Sequence, residues 1–170
     1  MPALLLPVQG KHPQIGPDCY VADNATIVGD VTLGAQCTVW FNAVIRGDVN
    51  RIMLGNCCNV QDGAIIHCTF QKTVTTIGNY VSIAHNAVVH GCTIDDQVLV
   101  GMGAIIMDGA VIGTGSIIAA GAIVTQNTVV PPGSIYAGNP ARLLKAVSPE
   151  QAEVFMRTAT NYVMYAGWYK

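Results

Sequence analysis

Aliphatic residues recur at every sixth position over most of this 170-residue chain. The first run is Ile15, Val21, Ile27, Leu33, Val39 and Ile45. A three-residue slip leads to Leu54, Val60 and Ile66, and five extra residues precede Ile77, Ile83 and Val89. One residue is then dropped, and the last run is Ile94, Val100, Ile106, Ile112, Ile118, Val124, Val130 and Tyr136. Only Tyr136 departs from the aliphatic rule over these twenty hexads. The fifth residue of a hexad is usually small, as at Cys19, Ala25, Cys37, Ala43, Cys58, Ala64 and Ala87.

A six-residue period is the mark of a parallel β-helix. Each hexad supplies a short strand and a corner, with the large aliphatic and the small residue pointing inward. Three hexads close one triangular coil, so the twenty predict nearly seven coils of an all-β solenoid. The reading gives a lead-in over residues 1–14, a β-helix domain over 15–141 and a C-terminal helix over 148–166. The helix start is explicit: Ser148 as N-cap, Pro149 at the first helical position and Gln151 completing a capping box. Ala152, Phe155, Ala159, Tyr162 and Ala166 recur at three- and four-residue spacing and form one face to lie along the solenoid. Gly167 is the expected stop.

Composition narrows the function classes. The chain is 51% hydrophobic and only 11% charged, against roughly 25% charged in ordinary domains. A formal charge of −2 gives no electrostatic reason for a nucleic acid or an anionic membrane as partner. So weakly charged a surface fits a subunit that hides part of itself in an oligomer. The opening MPALLLPVQG lacks the basic flank and length of a signal peptide, and no apolar run reaches membrane-spanning length, so the expected address is the cytoplasm. In that compartment the six cysteines are expected to be unpaired. Cys19, Cys37 and Cys58 fall at the small inward position and are read as core residues, and Cys57-Cys58 is read as structural.

Three of the four histidines lie between Ile45 and Ile94. Ile45, Ile66 and Val89 begin hexads on one side of the prism in successive coils, so Arg46, His67 and His90, each next in sequence, form an outward column. Coils are about 4.8 Å apart, close enough for two stacked imidazoles to share an ion. His85 falls on a different side, with Asp62 one coil below it and Gln61 beside that. A threefold trimer sets one side of a prism against a different side of its neighbour, so His85 can complete the set across the interface. Three histidines with one open water position is the arrangement of catalytic zinc. His12 has no such neighbours and is read as a solvated surface residue.

The segments IRGDV, NVQDG, IIH, AHNAVVHGC, VLVGMGAIIMDGA and GNPAR together resemble those of gamma-class carbonic anhydrases and their bacterial homologues, over nearly the whole chain. That resemblance implies a left-handed β-helix, a homotrimer, and a divalent metal (zinc, or else iron or cobalt) held by His67, His85 and His90. It implies that Arg46, Asp48 and Asp62 form an ion-pair set at the subunit interface. It further implies that Asn59 and Gln61 line the site, with Gln61 hydrogen-bonding the bound water, and that Tyr162 reaches the pocket. The implied reaction is reversible hydration of carbon dioxide to bicarbonate by hydroxide that the cation makes available near neutral pH.

Two departures bear on rate. Where the best-studied branch carries a glutamate after the RGD aspartate, this chain has Val49, and residues 68–76 read CTFQKTVTT without a carboxylate. In that branch those acids export the proton released at each turnover, so weak, absent or redirected hydration is the expectation. The alternatives are a metal-dependent acyl-CoA thioesterase, a coenzyme A-dependent acyltransferase of the wider hexapeptide clan, and a non-catalytic binding subunit. Cys68 and Cys92 fall on the same side as His67 and His90, where a packing role is expected.

Overall fold

The computed structural model describes residues 3–169. Its strands are mostly two or three residues long and pair in parallel with the coil above and the coil below. The registers follow the hexad count. On the first wall Ile15 pairs with Leu33, then Leu54, Ile77, Ile94, Ile112 and Val130. The second wall stacks Val21, Val39, Val60, Ile83, Val100, Ile118 and Tyr136. The third stacks Ile27, Ile45, Ile66, Val89, Ile106 and Val124.

The stacks form because each hexad offers one large and one small residue to a narrow triangular interior. Ile27, Ile45, Ile66, Val89 and Ile106 are fully buried, as are Ala25, Ala43, Ala64, Ala87 and Ala104. Burying each large aliphatic is worth roughly 1.5–3 kcal/mol. The fourth residue of a hexad makes the corner in the left-handed backbone region, for example Asn42, Cys57 and Asn86. That accounts for the adjacent cysteines: Cys57 turns the corner, and Cys58 faces the core and donates its thiol hydrogen to the Gly78 carbonyl. None of the six cysteines is in a disulfide.

Two longer strands, Thr26–Leu33 and Val44–Leu54, run from the third wall round the corner into the first wall of the next coil. They join those walls into one sheet, while the second wall is a separate sheet. The extra residues after Ile45 and Ile66 are accommodated at that corner, and those two insertions flank His67 and His90.

The ends carry strands outside the hexad count. In the lead-in, Leu4–Leu6 pairs with Thr26–Val28 and underlies the first full coil. At the other end Arg142–Ala146 turns back antiparallel onto Ser134–Ala137. Helix α1 (Pro149–Ala166) follows, capped as expected: Gln151 N–H donates to Ser148 Oγ, and Ser148 N–H donates to Gln151 Oε1. It packs on the second wall against Thr38–Val39 and Ser82–Ile83. Phe155, Ala159 and Ala166 are buried and Tyr162 is half-buried, but Ala152, expected on the same face, is exposed. Gly167 does not stop the chain by a left-handed turn. It keeps a right-handed φ of −63° and leads into the 3-10 turn Gly167–Tyr169. That turn brings Tyr169 against Tyr20, Trp40 and Phe41. No helix among the described residues is long and apolar enough to cross a membrane.

Candidate metal centre

Side chains one residue past the inward aliphatic point outward, so the pairing of Val89 with Ile66 puts His90 directly over His67. His67 Nδ1 and His90 Nε2 face each other at 3.1 Å, with ring centroids 5.1 Å apart. Two nitrogens bound to one tetrahedral zinc at about 2.0–2.1 Å lie roughly 3.3 Å apart. The pair therefore fits a shared ion with little adjustment.

Each ring is held from behind by a carboxylate. His67 Nε2 lies 3.2 Å from Asp48 Oδ1, and the other Asp48 oxygen accepts from Arg46 at 2.6 Å. His90 Nδ1 lies 2.6 Å from Asp108 Oδ1, and Asp108 Oδ2 accepts from Thr69 Oγ1 at 2.6 Å. A carboxylate behind a ligating imidazole fixes its tautomer and raises its basicity, which is the usual outer setting of a histidine metal site. Burial and the Arg46 charge hold the His67 imidazole below the usual histidine range, only partly offset by Asp48. It is thus neutral near pH 7, as a metal ligand must be. Burial pushes the Asp48 and Asp108 carboxyls up, but hydrogen bonds outweigh it and hold both below the ordinary aspartate range.

The remaining expected residues collect on the second wall. His85 Nδ1 lies 2.9 Å from Asp62 Oδ2, one coil below it, with the imidazole partly exposed. Gln61 and Asn59 are buried beside them: Gln61 Nε2 donates to Asn59 Oδ1 at 2.9 Å, and Asn59 Nδ2 donates to Ser82 Oγ at 2.8 Å. Tyr162 reaches over from α1, its ring 5.5 Å from that of Trp40. Burial, and then the nearby Asp62 charge, push its phenol pKa up, so it remains a hydroxyl at neutral pH.

The nine residues singled out from the sequence thus divide into two groups. Arg46, Asp48, His67 and His90 share the third wall; Asn59, Gln61, Asp62, His85 and Tyr162 share the second. Within one chain Asp62 pairs with His85 and does not join Arg46 and Asp48. Among the described residues no three His, Cys, Asp or Glu side chains of one chain converge as a metal site. Asp108 and Thr69 were not foreseen. Counting hexads does not bring Asp108 to His90, because its register partner one coil below is Gly91, while Met107 lies over His90. Cys68 and Cys92 are buried beside the histidines, and burial pushes their thiols up to about 11 and about 12. Both remain protonated near pH 7.

The third wall is otherwise apolar. Val44, Ile65, Val88, Ile105 and Ile123 stack in register two positions before the histidine column, pointing outward. Ile65 is 43% exposed. A shallow cleft of about 310 Å³ beside His90 is lined by Val88, Ile105, Met107, Asp108 and Gln126. His12 lies well away, in a polar cleft with Lys11, Asp30 and Arg51 at the N-terminal end.

Residues 12–47 and 91–126 match the family described as bacterial transferase hexapeptide (six repeats). Over 149 residues, 88% of this chain and 93% of the relative, the sequence is 52% identical to the probable carbonic anhydrase of Methanocaldococcus jannaschii. It is 39% identical to the mitochondrial gamma carbonic anhydrase 1 of Arabidopsis thaliana over 93% of this chain, spanning 59% of that longer protein. Among solved structures, a hexapeptide transferase family protein from Anaplasma phagocytophilum superposes with a TM-score of 0.94 at 36% identity, covering 98% of each chain.

Proposed function

The chain belongs to the gamma carbonic anhydrase-like family of hexapeptide-repeat proteins, and from that premise we propose that it is a trimeric lyase hydrating carbon dioxide reversibly at a divalent metal held by His67, His85 and His90. One observation carries the reading: His67 and His90 present facing nitrogens 3.1 Å apart on one wall, while His85, steadied by Asp62, points outward from another. The apolar ladder of Val44, Ile65, Val88, Ile105 and Ile123 supports a second copy seated on the third wall, because water gains nothing from such a stripe. A neighbour's second wall, laid there, brings its own His85 as third ligand.

When bound, a zinc, iron or cobalt cation supplies a water whose pKa falls to about 7. The chain's own residues do the rest. Asp48, Asp62 and Asp108 hold the three rings so that one nitrogen of each is a lone-pair donor. Asn59, itself anchored on Ser82, fixes the Gln61 amide, a neutral group that orients a nucleophile without quenching its charge. Tyr162 contributes a neutral hydroxyl at the same wall. Val88, Ile105 and Met107 give carbon dioxide, which is apolar, a surface beside His90. Proton export is the weak step, because residues 68–76 offer hydroxyls and one lysine but no carboxylate.

Stopped-flow carbon dioxide hydration on protein loaded with zinc, iron(II) or cobalt(II), set beside metal content per chain, tests the proposal. A trimer with one metal per chain and metal-dependent hydration is expected. The similarity to a hexapeptide transferase keeps an acyltransferase as the second reading, and metal-free protein that consumes acyl-coenzyme A would favour it.

A further inference from the structure

Resting on the metal reading above, we propose that Asp108, held by Thr69, is the positioning residue that sets His90 for metal binding, and that the carboxylate-free loop of residues 68–76 is its clamp. A neutral imidazole has one N–H and one lone pair, and the partner of one nitrogen decides the role of the other. An ionised carboxylate can only accept. The 2.6 Å contact between His90 Nδ1 and Asp108 Oδ1 therefore puts the ring proton on Nδ1 and leaves the lone pair on Nε2, the nitrogen facing His67. A hydrogen bond of this kind, with a charged acceptor, is roughly twice as strong as a neutral one.

Asp108 is itself fixed. Its second oxygen accepts from Thr69 Oγ1 at 2.6 Å, and Thr69 N–H donates to Thr73 Oγ1 at 3.0 Å. Asn50 holds the Thr73 carbonyl at 2.8 Å. Thr75 Oγ1 donates to the His67 carbonyl at 2.7 Å and accepts from Gly91 N–H at 3.0 Å, tying the loop to both histidine strands. Gly91 supplies an independent sign of the same design. A Cβ there would collide with Asp108 Oδ1 and Thr73 Oγ1, and the residue has a left-handed φ of 56°. The carboxylate reaches His90 through the space that a side chain at position 91 would fill. The five extra residues after Ile66 are thus a threonine bracket between two ligand strands.

The test uses the full-length protein with Asp108→Asn, Asp108→Ala, Thr69→Val and Thr69→Ser, read in two ways. Zinc affinity is measured by competition with a chelating dye, and the His90 tautomer by ¹⁵N NMR on metal-free protein. Loss of such an outer partner typically costs 10–100-fold in metal affinity, so Asp108→Asn and Asp108→Ala should fall in that range. Thr69→Val should weaken binding about tenfold, and Thr69→Ser should restore it. Wild-type His90 should carry its proton on Nδ1, and Asp108→Ala should populate both tautomers. An Asp108→Ala protein with the wild-type tautomer, or Asp108→Asn and Thr69→Val proteins that bind zinc as tightly as wild type, would overturn the clamp while leaving the metal site standing. A wild-type protein that takes up no divalent metal would overturn both.

Discussion

Replacing Ile65 by aspartate should separate the subunits and empty the metal site in one step. Ile65 lies two residues before His67 on the outward side of the third wall and leaves 43% of its surface exposed. Full burial of such a side chain is worth roughly 1.5–3 kcal/mol, so covering the remainder contributes about 1 kcal/mol per copy and about 3 kcal/mol over three copies. An aspartate both forfeits that gain and strands a charge, at an effective cost of several kcal/mol per ion. Over three equivalent positions the penalty is on the order of 10 kcal/mol, close to the whole affinity of a nanomolar contact at about 12 kcal/mol. The fold itself should survive, because the substituted side chain faces away from the prism interior. Sedimentation velocity at micromolar concentration, circular dichroism and zinc per chain by mass spectrometry read the outcome. A folded monomer without zinc is expected. A folded monomer that keeps one zinc per chain refutes a ligand lent by a neighbour, and an intact trimer refutes the assignment of this wall to the contact.

His85→Ala should lose metal as completely as His67→Ala, and retention of stoichiometric metal in that variant counts against three-histidine ligation. Hydration should be limited by proton export, so raising the concentration of an imidazole buffer should raise kcat and leave kcat/KM unchanged. A kcat indifferent to buffer would mean that the chain has its own route for the proton. Ser148→Ala removes one half of the capping box at the start of α1 and should cost about 1 kcal/mol of stability, seen as a lowered Tm. An unchanged melting curve would show that the helix is held by Phe155 and Ala159 alone.

The coils were legible because a solenoid repeats its packing problem. Ile45, Ile66 and Val89 each had to fill the interior behind the same wall of the same triangle, so one period located them all, insertions included. The ends follow other rules. Leu4–Leu6 sits beneath the first coil with only one neighbour, so its leucines alternate with nothing and show no hexad. Gly167 ends α1 where the sequence places the stop, but a glycine after a helix usually adopts a left-handed φ. Here the aromatic contacts of Tyr169 with Tyr20, Trp40 and Phe41 accompany a right-handed continuation instead.

The candidate site was legible only where it lies along a column. His67 over His90 follows from counting, and so does Asp62 below His85. Asp108 and Thr69 reach His90 sideways, across a corner and over Gly91, and no period records that kind of contact. The same geometry supports the second copy that the proposed site calls for. A flat wall of strands sends its side chains into one hemisphere, and imidazoles stacked one coil apart can offer an ion only adjacent positions. Four-coordinate zinc needs a donor from the far side as well as room for substrate. The second wall cannot supply that donor to its own third wall, because the two are turned away from each other round a corner. In the proposed threefold arrangement the second wall of one copy would lie before the third wall of the next, and the apolar ladder beside His67 would give the two walls a reason to meet.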